Sequence, residues 1–166
     1  MSEQNLNHTD AIKKMKELAE SIDFTMMATN LSEHPIHAIP MSTKKVDGDG
    51  AIWFLSGRDS EHNANIKKTD QVQLFYSKPS NMEFMTVSGT ATITTDRTIL
   101  ENLYSKSDDM WFDGLDDPNL TAIKVEPTNG QYWDSKHSNL ISFFKMGVAA
   151  ISGEQPDISE HGNLEV

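Results

Sequence analysis

Arg58, Asp59 and Ser60 form the part of this sequence whose residue types and spacing are best suited to chemistry. They follow an apolar run at 51–55, and a second apolar run at 72–76 comes after a short polar stretch. This pattern indicates a strand, a polar turn, a helix and a second strand. The start of such a helix places unpaired main-chain N–H groups beside the Arg58 guanidinium and the Ser60 hydroxyl. The pattern predicts an anion site, and a phosphate-bearing cofactor is its natural ligand.

The same residues also have purely structural interpretations. Arg58 beside Asp59 is typical of a solvated surface pair with little energetic weight. Ser60 is equally suited to cap a helix by accepting a hydrogen bond from its first turn. His37 and His62 are too far apart in sequence to form a metal-ligand motif. The anion site therefore stays one of two interpretations of this turn.

The hydrophobic pattern predicts short strands with three small helices between them. Helices are expected at 10–22, 60–68 and 96–105. Strands are expected at 24–29, 36–45, 51–55, 72–76 and 82–95, with a broken final pair at 120–133 that turns at 127–130. Gly89 within the longest strand predicts a bulge or a close approach of another backbone. Asp47-Gly-Asp-Gly50 predicts a hairpin turn, because it lacks the later ligands of a calcium loop.

About six strands predict a mainly β fold, a closed or split β-barrel, as a single domain over residues 1–150. Residues 151–166 contain four acidic residues, no lysine or arginine and few large apolar residues. That composition predicts a disordered acidic tail. Five aromatic residues are expected at a subunit interface, with burial inside one chain as the alternative for each: Trp111, Phe112, Trp133, Phe143 and Phe144.

The chain has 166 residues, a formal net charge of −11 and no cysteine. A net negative charge of this magnitude opposes binding to nucleic acid and to anionic membranes, because both are negatively charged and would repel the chain. The lack of cysteine excludes disulfides, thiol catalysis and cysteine-ligated metal. With no apolar run of bilayer length and no N-terminal signal pattern, we expect a soluble cytoplasmic protein. The sequence contains no nucleophile–base motif, so we assign no catalytic residue.

Four segments in order resemble the general stress proteins of the pyridoxamine 5′-phosphate oxidase-like superfamily. They read HPIHAIPMST, DGAIWFLSGRDSEH, SNMEFMTVSGTATI and MWFDGLDDPNLTAIKVEPTNGQYWD, and the resemblance covers roughly residues 10–150. It implies a six-stranded Greek-key split barrel and a homodimer. It also implies flavin mononucleotide (FMN) held in a cleft between the two subunits.

The resemblance further implies which side chains contact FMN. One strand would lie along the flavin ring: Ile39, Pro40, Met41, Ser42, Thr43 and Lys44. A second strand would add Leu55 and Ser56, and the phosphate loop would include Arg58, Ser60, Glu61 and His62. Phe84 and Trp133 would come from neighbouring positions, of the same subunit or of the other one. Lys44 matches a flavin- or substrate-facing lysine of the oxidases.

Three positions near the expected phosphate depart from the family pattern. Ile39 stands where the family has arginine, His62 stands where it has lysine, and Glu61 adds a negative charge. Arg58, Ser60, the helix start and a protonated His62 remain to hold the phosphate. Each lost charge-assisted contact costs about 1.5–3 kcal/mol of binding free energy, so we expect reduced FMN affinity.

Two classes of function are compatible with these residues. The first is a flavin-dependent oxidoreductase that passes reducing equivalents from a nicotinamide cofactor or a small substrate to FMN. The second is a non-catalytic protein that senses, buffers or carries flavin, and a barrel that has lost flavin is a third alternative. Pyridoxamine phosphate oxidation is not expected, because the arginine–histidine segment of the oxidases has no counterpart after Trp133.

Overall fold

A computed structural model describes residues 2–3, 8–135 and 159–164 of the chain. These ranges contain nine strands and three α-helices. The strands are β1 Ser2–Glu3, β2 Phe24–Thr29, β3 His37–Ser42, β4 Lys45–Val46, β5 Ile52–Gly57, β6 Gln71–Lys78, β7 Glu83–Thr94, β8 Leu120–Ser135 and β9 Ser159–Leu164. The helices are α1 His8–Ile22, α2 Glu61–Lys68 and α3 Arg97–Leu103. None of the helices in the described ranges has the length and apolar character needed to cross a bilayer.

The nine strands form one sheet in which β8 is the central element. The order is β1-β9-β8-β7-β6-β2-β3, and β5 joins the same sheet through β8. The first part of β8 pairs with β5 and its last part pairs with β9, while β7 runs along most of its length. Lys44 N donates to Trp53 O at 2.8 Å, which brings the end of β3 beside β5 and curls the sheet.

Helix α1 fills the concave side of this curled sheet. Its apolar residues recur every three or four positions, and Ala11, Met15 and Leu18 are at most 2% exposed. This spacing places them on one face of a helix, and they share one core with Met27 and Phe54 of the sheet. The amphipathic helix predicted at 10–22 is therefore confirmed.

The broken strand pair predicted at 120–133 is wrong. Residues Leu120–Ser135 form one continuous strand, and Pro127 and Gly130 lie inside it. The register against β7 shifts between Ser88 and Gly89, which leaves an extra residue in β8. A bulge tolerates a proline that cannot donate to the ladder, so Pro127 marks an irregularity and not a turn. The prediction at Gly89 is confirmed, because the bulge in β8 lies opposite it and the backbone of β8 approaches it closely.

Six residues of the predicted acidic tail, Ser159–Leu164, form β9 against the end of β8. Leu164 is 1% exposed and packs over Gly130, where a side-chain carbon would lie 3.0 Å from it. Apolar burial and strand pairing therefore order these six residues, where the sequence predicted disorder. Residues 136–158, including Phe143 and Phe144, lie outside the described residues.

Candidate functional site

A cavity of about 280 Å³ lies between β3, the end of β5 and the start of α2. We call it the first cavity. Eight of the predicted FMN contacts line it: Ile39, Pro40, Met41, Ser42, Lys44, Leu55, Ser56 and His62. Two strands and a helix start that are separate in sequence thus converge on one concave site, because β3 and β5 are held side by side.

The first cavity is also lined by residues that the sequence analysis did not assign to the site. These are Phe24, Gly57, Asp108, Trp111 and Phe112. Trp111 and Phe112 were expected at a subunit interface, and the structure places both in the cavity wall. Trp111 is 78% exposed, so the cavity reaches the surface beside it. Two adjacent aromatic residues within a polar segment could have indicated Trp111 and Phe112 as site residues. No local pattern in the sequence indicated Asp108.

Lys44 and Asp108 form an ion pair in the wall of the first cavity. Lys44 Nζ lies 2.9 and 2.8 Å from the two Asp108 carboxylate oxygens, and the two side chains are 14% and 13% exposed. Burial alone would raise the pKa of Asp108, but hydrogen bonds from Lys44 and Ser105 outweigh it and lower that pKa. Asp108 therefore stays negative at neutral pH and offsets the charge of Lys44.

Ser60 and His62 lie where α2 begins. Ser60 Oγ accepts a hydrogen bond from Asn63 N at 3.3 Å, which confirms its role as helix cap, and lies 3.0 Å from His62 Nε2. Burial lowers the pKa of His62, and His37 lowers it further against the opposing effect of Glu61. A neutral imidazole at neutral pH means that His62 does not supply the expected cation.

Thr43 faces the interior and not the first cavity. Its Oγ1 lies 2.8 Å from the hydroxyl of Tyr76, a buried residue of β6. Burial raises the pKa of Tyr76 despite the opposing hydrogen bond with Thr43, so the phenol remains protonated. Of the six residues expected along the flavin ring, Thr43 is therefore the one that does not line the first cavity.

Phe84 and Trp133 are directly opposite each other on β7 and β8, away from the first cavity. They belong to an apolar surface that we call the outer face. Direct partners across strands and residues two apart along a strand lie on the same side of a sheet. The outer face contains Phe24, Met26, Pro40, Phe75, Phe84 and Trp133. Phe24 and Pro40 also line the first cavity, so the two features are continuous.

Arg58 lies in the wall of a different cavity, of about 440 Å³, which we call the second cavity. It lies between α2 and the end of β7, and its lining includes Asn63 and Lys67 of the helix and Thr92 of the strand. The structure therefore separates Arg58 from the eight residues of the first cavity. Ser60 lies between Arg58 and His62 in sequence. Among the described residues, it is in the lining of neither the first nor the second cavity.

The fold and the sequence both match known proteins. The family model for proteins described as pyridoxamine 5′-phosphate oxidase like matches residues 10–157. No curated protein matches the chain significantly. A structure from Jannaschia sp. CCS1, a general stress protein 26 candidate, has a TM-score of 0.80 at 23% identity, covering 96% of this chain and 100% of that one.

Two further structures are similar over most of their length. The general stress FMN/FAD binding protein of Xanthomonas citri has a TM-score of 0.64 at 26% identity, covering 77% of this chain and 90% of that one. A pyridoxamine 5′-phosphate oxidase-related, FMN binding protein of Nostoc punctiforme has a TM-score of 0.59 at 12% identity, covering 78% and 84%. These likenesses confirm the predicted mainly β split barrel, with more strands than expected. The chain belongs to the pyridoxamine 5′-phosphate oxidase-like family.

Proposed function

We propose that this protein binds FMN, with the flavin ring in the first cavity. The observation that carries the proposal is the convergence of eight predicted contacts from β3, β5 and α2 on that one cavity. Similarity to proteins named for FMN binding, in Xanthomonas citri and Nostoc punctiforme, supports it. FMN would supply the hydride and electron chemistry, and the chain would position the ring and exclude water.

The lining of the first cavity fits a flavin ring. Ile39, Met41 and Leu55 offer an apolar wall, and Phe112 and Trp111 add aromatic surface. Ligand sites typically combine such a wall with a few polar groups. The cavity of about 280 Å³ is slightly smaller than the roughly 300–1,000 Å³ of typical ligand pockets. One chain would therefore enclose only part of the cofactor.

A second copy of the chain would complete the site. The outer face exposes Phe24, Met26 and Phe75 by 59%, 42% and 46%, and exposed apolar patches of this kind mark interaction surfaces. Because Phe24 and Pro40 belong to both the outer face and the first cavity, a partner on this face would border the cavity. Phe84 and Trp133 of that partner are the proposed contacts from the other subunit.

The phosphate of FMN would bind at the start of α2. The first N–H groups of a helix lack partners within the helix and attract anions. Among the described residues, Lys44 is the only lysine or arginine that lines the first cavity, and Asp108 offsets its charge. Ser60, His62 and the helix start are then the proposed phosphate contacts, which predicts modest affinity. Ile39→Arg would add a cation at the cavity wall and should tighten FMN binding.

We further propose that the bound FMN serves an oxidoreductase reaction with a small molecule. The first cavity reaches the surface at Trp111, which leaves an approach for a second molecule beside the ring. Anaerobic addition of NADH or NADPH to the FMN-loaded protein tests this step. Rapid bleaching of the flavin absorbance supports an oxidoreductase, whereas flavin that stays oxidised favours the non-catalytic sensor or carrier.

Trp111→Ala and Met110→Ala form a matched pair that tests the location of FMN. Both side chains are largely exposed, at 78% and 80%, but only Trp111 lines the first cavity. An aromatic contact contributes about 0.5–1.5 kcal/mol, so Trp111→Ala should weaken FMN binding by roughly 2- to 12-fold in a fluorescence titration. Equal affinity of both variants and the unmodified protein would reject the first cavity as the ring site.

A further inference from the structure

We propose that the second cavity binds a small oxyanion, a phosphate ester or a carboxylate, between Arg58 and Lys67. The cavity is separate from the site proposed for FMN, and this inference does not depend on that function. Arg58 precedes α2 and Lys67 lies in its last turn, so the two cations approach the cavity from opposite ends of the helix. A guanidinium and an ammonium in one concave site suit a ligand with several anionic oxygens.

The charge at the second cavity is opposite to that of the whole molecule. The chain has a formal net charge of −11, yet no aspartate or glutamate of the described residues lines this cavity. Among the described residues, the side chains of Arg58 and Lys67 take part in no ion pair with a carboxylate. A strongly acidic protein repels anions over most of its surface, so two uncompensated cations in one cavity define a local anion site.

Asn63 supplies a second, independent observation. Its side chain is fully buried and lines the second cavity, and its Nδ2 donates to Thr121 Oγ1 at 3.0 Å. Its Oδ1 is buried and accepts no hydrogen bond from the residues that the structure describes. Native proteins rarely leave a buried polar atom unpaired, because the loss of hydration is not repaid. This Oδ1 is not accessible from the cavity as the side chain stands, so a ligand hydroxyl or amine would provide the missing donor only after Asn63 turns toward it.

The rest of the lining indicates a small organic ligand and not a bare ion. Ile66, Ala91 and Ile93 form apolar surface, and Thr92 and Thr95 add hydroxyl groups. Mixed apolar and hydroxyl surface beside two cations matches a compact molecule with an anionic end and a polar carbon skeleton. The volume of about 440 Å³ is sufficient for such a molecule.

Calorimetric titration of the full chain with pyrophosphate and, separately, with citrate tests the proposal. Arg58→Gln and Lys67→Gln should each weaken binding of the preferred probe about tenfold, the loss expected for one charge-assisted contact. Lys68→Gln is the matched control, because Lys68 is an exposed lysine of the same helix that does not line the cavity. Tighter binding of pyrophosphate assigns a phosphate ligand, and tighter binding of citrate assigns a carboxylate.

Three outcomes would overturn the second-cavity site. The first is that neither pyrophosphate nor citrate binds. The second is that Lys68→Gln weakens binding as much as Lys67→Gln, since the positive charge of the helix as a whole would then explain the binding. The third is displacement of the probe by FMN, which would show that the anion occupies the flavin site. If FMN does not bind, the proposed function is rejected, but the comparison of these variants still tests the second cavity.

Discussion

Lys44 and Asp108 determine the charge of the first cavity. Lys44 lies between β3 and β4, and Asp108 lies 64 positions later in a short 3-10 helix of the loop between α3 and β8, which closes one side of the cavity. The family resemblance implied that Lys44 lies near the flavin, and Lys44 lines the first cavity. It could not predict Asp108, since contact between the two follows from how the loop folds back over the sheet.

Asp108→Asn should lower the free energy of unfolding by about 1.5–3 kcal/mol, because the largely buried Lys44 ammonium loses its charged partner. The folded pKa of Asp108 is depressed from 3.8, so its stabilisation is present above that pH and is lost as the pH falls through the folded value. Denaturant unfolding at pH 7 and at a pH well below 3.8 should show the difference between the two proteins shrinking with acid.

Asp113→Asn is the control for this prediction. It removes the same charge from the same loop, but Asp113 is exposed and its carboxylate has no hydrogen bond or ion pair among the described residues. Its stability should match that of the unmodified protein at both pH values. Equal losses from both substitutions would contradict a specific role for the Lys44–Asp108 pair.

Tyr76→Phe should lower stability by about 0.5–1.5 kcal/mol, since Thr43 would lose a buried hydrogen-bond partner. Combining it with Thr43→Val removes both partners, and the double variant should lose less than the sum of the two single losses. Thermal or denaturant unfolding of the four proteins measures this coupling. Strictly additive losses would show that the two hydroxyls do not stabilise each other.

At the scale of elements, local turn chemistry was predictable and register was not. Asp47 accepts hydrogen bonds from Asp49 N and Ala51 N, so the hairpin between β4 and β5 follows from residues within the turn. Ser60 caps α2 for an equally local reason. Pro127 also resembles a turn residue when only its sequence neighbours are considered. It lies instead at a bulge in β8, which depends on Gly89 of the neighbouring strand, distant in sequence.

Gly89→Ala should destabilise the β7–β8 pairing. A side-chain carbon at Gly89 would lie 2.6 Å from Glu126 O and 2.8 Å from Val125 Cγ1, so the backbone of β8 must shift. Overpacking of this kind costs about 1–3 kcal/mol. Gly48→Ala is the matched control, because no atom in the described part of the chain lies within 4 Å of the added carbon there. A melting temperature lowered equally in both variants would rule out the close approach at Gly89.

At the scale of the whole molecule, the outer face and the first cavity support the proposed homodimer. The curled sheet buries its concave side around α1 and leaves Phe24, Met26 and Phe75 exposed on the other side. The family resemblance led to the split barrel correctly. The strand β9 was missed, because its acidic and glycine-containing sequence is typical of a tail and its pairing partner lies in β8.

Phe75→Lys should convert the proposed dimer into a monomer, because a charge at the centre of the outer face would be buried without a partner. Thr98→Lys, an equal change in charge on exposed α3, should leave the assembly intact. Sedimentation velocity measures both. A monomeric unmodified protein, or a Phe75→Lys variant that remains dimeric, would contradict the proposed interface.

The absorbance spectrum of the purified protein, with extraction of any cofactor and titration with added FMN, tests the central claim most directly. The expected result is a flavin spectrum, or its appearance on addition of FMN, with saturation at equal amounts of cofactor and chain. A colourless protein whose addition leaves the absorbance and fluorescence of concentrated FMN unchanged would contradict it.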